Sequence, residues 1–140
     1  MTLAQLQALA AVVELAAGGQ FPAADDLMVS PTYVPDLVQT CLDLLIDKES
    51  GIWHLSNNEA LSWHQFAQRA CQLAGVDASG LLGRPAASFD TCAAQPPFSA
   101  LTSERGILLP ALDDALVRYF DTAMALAESG AAQAAHYGSN

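Results

Sequence analysis

Ser30-Pro31-Thr32-Tyr33-Val34-Pro35-Asp36-Leu37 is the stretch from which the fold is read. Each proline disfavours the helical region for the residue before it, so Ser30 and Val34 are expected to be extended. Pro35 is preset for the first turn of a helix, and Asp36 suits the positive end of its dipole. The segment therefore predicts a strand handing over to a helix. Leu37, Val38, Cys41, Leu42, Leu44, Leu45 and Ile46 carry that helix onward until Asp47-Lys48-Glu49-Ser50-Gly51 stops it. Upstream, Leu3, Leu6, Leu9, Ala10, Val13 and Ala17 recur at helical spacing behind a Thr2-x-x-Gln5 capping box, and Gly18-Gly19 closes that helix. Leu27-Met28-Val29, between Asp25-Asp26 and Ser30-Pro31, reads as a short strand or an extended loop.

Downstream, the aromatic and β-branched run Ile52-Trp53-His54-Leu55-Ser56 argues for a strand. Ser62-x-x-Gln65 is a second capping box, opening a helix through Trp63, Phe66, Ala67, Ala70, Cys71, Leu73 and Ala74 that Gly75 ends. Gly80 to Ser88 reads as a turn and then a strand, and Ala94-Gln95-Pro96-Pro97-Phe98 as an extended loop. A short helix is expected over Ser99 to Arg105. Pro110 starts a last long helix with Leu112, Leu116, Tyr119, Phe120 and Ala123 on one face, followed by a frayed tail from about Gly130. The sum is an α+β fold, four or so helices with short strands. We expect residues 1–122 to form the domain, and 123–140 the helix end and tail.

In 140 residues, 5 Lys and Arg against 15 Asp and Glu give a net charge of −10, while 52% of residues are hydrophobic and 14% charged. One globular core is expected from that length and composition. Tracking nucleic-acid phosphates takes clustered cations, so neither nucleic acid nor an anionic membrane is expected as a partner. The opening Met1–Ala17 lacks a basic n-region and is broken by Gln5, Gln7 and Glu14, so it reads as a helix of the domain rather than a signal peptide. Cys41, Cys71 and Cys92 form no C-x-x-C pair, which fits a reducing cytoplasm.

Every complete catalytic or cofactor signature is missing. Gly75, Gly80 and Gly83 are wrongly spaced for a phosphate-cradling loop, no serine sits in G-x-S-x-G, and no H-E-x-x-H occurs. His54, His64 and His136 are spread over separate elements and read as structural or surface residues. Asp113-Asp114 suits the dipole of the last helix, and Asp25-Asp26 suits loop capping. Trp53, Trp63 and Phe66 read as core aromatics before ligand walls. Neither a catalytic residue nor a metal ligand is assigned.

Taken in order, Ser30–Leu37, Gly51–Leu55, Leu61-Ser62-Trp63-His64-Gln65-Phe66-Ala67 and Gln95-Pro96-Pro97-Phe98-Ser99-Ala100-Leu101 resemble the C-terminal part of dTDP-4-dehydrorhamnose reductase and its relatives. These are sugar-nucleotide reductases of the extended short-chain dehydrogenase family, with P-T-x-x-x-D-L, G-I/L-Y-H-L, S/T-W-x-x-F-A and R-P-x-x-S-x-L in that order. The resemblance runs from about Met1 to Phe120 and implies the smaller, substrate-binding lobe, without the Rossmann domain. It implies a nucleotide-sugar ligand, with Thr32, Tyr33, Gln95 and Ser99 as binding residues, and a Rossmann partner in cis or trans, or self-association through the exposed lobe face. NAD(P)H and the catalytic Tyr-x-x-x-Lys pair would belong to that other domain. The single lysine, Lys48, has Leu44 four residues before it, so no such pair exists in this chain. Gln95 stands where the family carries arginine, and an amide offers a diphosphate only neutral hydrogen bonds. The chain alone is thus expected to bind weakly and to be inactive.

Overall fold

A computed structural model describes residues 3–89, 95–106 and 108–123. In chain order it contains α1 (Leu3–Ala16), β1 (Phe21–Ala24), β2 (Met28–Val29), α2 (Val34–Ile46), β3 (Leu61–Ser62), α3 (Trp63–Leu73), β4 (Leu81–Arg84), a 3-10 turn (Ala86–Ser88) and α4, over 112–123. Four helices with four short strands make the fold α+β. The expectations for Thr2, Cys92, His136 and the tail fall outside the described residues.

The capping box at Ser62 forms as its sequence dictates. The Ser62 hydroxyl accepts from the Gln65 N–H at 3.2 Å, and the Gln65 side chain accepts from the Ser62 N–H at 2.9 Å. Two donors that helix formation orphans are thereby satisfied. Gly75, at φ 67°, takes the left-handed turn past the helix end, as Gly18 does past α1 at φ 77°.

Between the two capped ends, α3 is the centre of the molecule. Ala67 and Cys71 face Ala11 and Leu15 of α1, Ala23 of β1 and Leu81 of β4. Phe66 and Ala70, one step round the helix, face Leu112 and Leu116 of α4. Trp63 touches both clusters and meets Phe66 edge to face, with ring centroids 6.3 Å apart. Burial also pushes the Cys71 thiol up from its ordinary pKa.

Strand pairing is long-range. β1 runs parallel to β4, Phe21 opposite Leu81 and Ala24 opposite Arg84. β2 runs antiparallel to β3, and on its other edge Met28 bridges to Phe98 in parallel.

Several expectations are corrected. Ile52–Ser56 forms no strand, because its backbone finds no neighbouring strand among the described residues and a strand exists only as part of a ladder. Ser99–Arg105 forms no helix, since the Ser99 and Leu101 N–H groups are bonded to Met28 O and Ser30 Oγ. The second helix starts one residue early, with Val34 inside it and Tyr33 as the extended residue, φ −78° and ψ 117°. β1 was not foreseen, because Pro22 and two alanines are weak strand formers that pair here only through β4. Among the described residues no helix is long and apolar enough to cross a membrane.

Two substitutions test this account of α3. Ser62→Ala removes half the capping box and is expected to cost about 1 kcal/mol in denaturant unfolding. Phe66→Ala empties the contact between α3 and α4 and is expected to cost about 3–5 kcal/mol. A smaller loss from Phe66→Ala than from Ser62→Ala contradicts a core centred on α3.

Candidate functional site

Four chain segments meet at a polar seam beside β2. The Met28 N–H donates to Pro97 O at 2.8 Å, and Met28 O accepts from the Ser99 N–H at 2.9 Å and the Ser99 hydroxyl at 3.2 Å. Two residues on, Ser30 Oγ accepts from the Leu101 N–H at 2.8 Å and donates to Leu101 O at 3.1 Å. Ser56 Oγ donates to the same carbonyl at 3.0 Å. Two prolines at 96 and 97 cannot donate, so the segment is held by its carbonyls and by the residues after them.

Asn57 stitches the other side. Its Oδ1 accepts from the Tyr33 N–H at 2.9 Å, and its Nδ2 donates to Pro110 O at 2.8 Å. Asn57 is buried, and these bonds satisfy its amide where water is excluded.

The charged closure of the seam is Arg118 on α4. Its two terminal nitrogens donate to both oxygens of Asp36 at 2.6 and 2.7 Å, and Asp114 joins the group one turn back on α4. The guanidinium also lies 5.0 Å from the Tyr33 ring centroid. Hydrogen bonds from Arg118 hold the Asp36 carboxyl below its ordinary pKa, against the opposing effect of burial; the Arg118 charge and Asn57 add to the lowering. Burial, with Tyr33 adding to it, pushes the Tyr119 phenol up.

Thr32, Tyr33 and Ser99 each lie on a segment that the seam ties together. Thr32 Oγ1 donates locally to Ser30 O at 3.2 Å, Tyr33 is half-buried under Arg118, and Ser99 is exposed on the bridged segment. Gln95 is exposed four residues before Ser99 and has no hydrogen bond among the described residues. Ser56, Asn57 and Arg118 were not foreseen as members of the seam. Asn57-Asn58 carries only a turn signal in sequence, and Asp36 and Arg118 are separated by 82 residues.

Other candidates take structural places. Asp113 binds Arg69, which also binds Glu59 at 2.9 Å, and Asp114 binds Arg118, so this pair acts through specific arginines beyond its dipole role. Asp26 Oδ1 accepts from the Ala86 N–H at 2.7 Å, a loop-capping bond as expected. Trp53 is half-buried beneath Arg105, 3.9 Å from its ring centroid, rather than in either core cluster. His54 is exposed and His64 half-buried. Among the described residues no three His, Cys, Asp or Glu side chains gather as a metal site. Gly75 ends a helix, Gly80 precedes β4 and Gly83 lies within it, so none opens a helix as a dinucleotide loop requires.

A family model for the RmlD substrate binding domain matches residues 7–119. The probable low-salt glycan biosynthesis reductase Agl14 of Haloferax volcanii is 31% identical over 107 residues, which cover 73% of this chain and 36% of the relative. The dTDP-4-dehydrorhamnose reductase of Bacillus anthracis, solved in complex with NADP, matches with a TM-score of 0.71 and 26% identity over 81% of this chain and 42% of its own. Its Clostridium acetobutylicum ortholog gives 0.74 at 19% identity over 89% and 44%, a likeness of fold alone. The chain spans little more than a third of the curated relative and somewhat under half of these solved reductases.

Arg118→Ala is expected to lower the unfolding free energy by about 1–2 kcal/mol, a modest value because the guanidinium is part-exposed and screened. Folding lowers the Asp36 pKa, so its contribution is complete above the ordinary carboxyl range and is lost as pH falls toward the lowered value. Unfolding of the native chain and Asp36→Asn should therefore differ most near neutrality, with the gap closing below about pH 3. A gap that widens on acidification contradicts this role.

Proposed function

The chain belongs to the RmlD substrate-binding-domain family, and from that premise we propose that it is the sugar-nucleotide-binding lobe of a dTDP-4-dehydrorhamnose-reductase-like protein. The observation that supports the reading is the seam itself: the Met28 and Ser30 bonds tie the segment that carries Gln95 and Ser99 to the strand that leads into Thr32 and Tyr33. Hydroxyls, an amide and a half-buried aromatic ring are groups suited to a sugar hydroxyl, a phosphate oxygen and a base face.

Hydride transfer belongs to another domain in this reading. The glycines do not fit a dinucleotide and no Tyr-x-x-x-Lys pair exists, so no redox step is assigned to these residues. The lobe is inactive alone and works in the cytoplasm beside a Rossmann half, in cis or trans. That half would supply the NAD(P)H site and the rest of the pocket.

A second reading, an interaction module, draws on α2. None of its residues is buried, and Val38, Leu42, Leu45 and Ile46 are exposed together with Ile52 beyond it. An apolar stripe of this kind favours a covering surface, which is either the Rossmann half or a second copy. Sedimentation separates these: a monomer at high concentration counts against self-association.

Titration of the 140-residue chain with a dTDP-sugar is expected to show weak binding, and with NADPH none. Appreciable NADPH binding or reductase turnover by this chain overturns the reading. Gln95→Arg is expected to tighten the dTDP-sugar about tenfold by adding a charge-assisted contact. Unchanged affinity in that variant removes Gln95 from the diphosphate site.

A further inference from the structure

The chain has five cationic side chains, and three of them are committed to carboxylates: Arg69 to Glu59 and Asp113, Arg105 to Glu49, and Arg118 to Asp36 and Asp114. Among the described residues Lys48 and Arg84 have no ion pair. Lys48 lies just past α2, whose 13 residues put about 20 Å between it and Tyr33. Arg84 is the last residue of β4, exposed and in register with Ala24 at the carboxyl end of the parallel pair. Ligand crevices open at that end of parallel sheets.

Local geometry keeps Arg84 clear of Asp25 and Asp26. Side chains alternate along a strand, so residues 81 and 83 share one face of β4 and residues 82 and 84 the other. Leu81 packs into the core with α1 and α3, and a Cβ built on Gly83 would stand 3.0 Å from Asp25 Oδ2 and 3.4 Å from His64 Cδ2. Asp25 and His64 therefore occupy the α3 side, and Arg84 leaves from the opposite side. Asp26 is engaged by the Ala86 N–H at 2.7 Å.

The chain after Arg84 also returns to where it left. The Asp25 N–H donates to Arg84 O at 3.1 Å, and the Met28 N–H donates to Pro97 O at 2.8 Å. Arg84 and Pro97 are thus both bonded to the short stretch Asp25–Met28, with Gln95 two residues before Pro97.

We propose that Arg84 supplies the cation for the diphosphate of a nucleotide sugar, carrying the charge that Gln95 lacks. The inference rests on the sugar-nucleotide reading above. A guanidinium with no carboxylate partner among the described residues has its donors available for phosphate oxygens.

Calorimetric titration of the chain with dTDP and with thymidine, at low salt, tests this. The native chain is expected to prefer dTDP, and Arg84→Gln to weaken dTDP about tenfold while leaving thymidine unchanged. Arg84→Lys should keep part of the preference, and Lys48→Gln all of it. Among the described residues Arg84 makes no side-chain bond, so circular dichroism and the unfolding midpoint of Arg84→Gln should match the native chain. A preference for dTDP that survives Arg84→Gln, or that is absent from the native chain, overturns the inference and leaves nucleoside binding standing. A native chain that binds neither compound overturns the sugar-nucleotide reading and this inference together.

Discussion

Both backbone groups of Met28 are spent on the 97–99 segment, while the opposite edge of the same two-residue strand meets Leu61 and Ser62. A strand this short holds two neighbours because its own backbone is bonded on both edges and its ends are pinned by side chains. Ser30 does that pinning on one side through Leu101, and Ser62, as the cap of α3, on the other. α3 orients β3, β3 orients β2, and β2 sets where Thr32, Tyr33 and Ser99 stand. The seam is therefore as rigid as the core contact between α3, α1 and α4 allows.

Charge is arranged to the same end. A chain with three times as many acids as bases places three of its five cations where segments distant in sequence must be joined: Arg69 between α3 and α4, Arg105 between the 49–50 turn and the 101–106 loop, and Arg118 between α4 and the start of α2. Arg69 adds to an apolar contact that Phe66, Ala70, Leu112 and Leu116 already make, whereas Arg105 and Arg118 join segments that share neither core cluster. No residue of α2 is fully buried, and the Arg118–Asp36 pair with Asn57 fastens its first turn. Such pairs, individually modest in water, set orientation more than they set stability.

Features whose causes lie within a few residues were legible in the sequence. Ser62-x-x-Gln65, Pro35, Gly18 and Gly75 each act over one helical turn, and each appears where its chemistry puts it. Features needing a distant partner were not. Ile52–Leu55 has strand composition but no ladder to join, whereas Phe21–Ala24 has poor strand composition and gains its ladder from β4. The seam was half legible: Thr32, Tyr33 and Ser99 follow from motif order, while Asn57 and Arg118 enter through contacts spanning 24 and 82 residues. An asparagine in a turn signals only the turn.

The parallel pairing of Phe21 with Leu81 also sets an order of events during synthesis. α1 and β1 emerge early, yet β1 can gain no ladder until β4 has emerged sixty residues later, and closing a loop of that length costs entropy before any contact repays it. The apolar side of α1 must wait in the same way, because Ala11 and Leu15 pack on α3. Folding of this lobe is thus a collective step, with α1 and β1 covered only once segments up to sixty residues further along the chain are available.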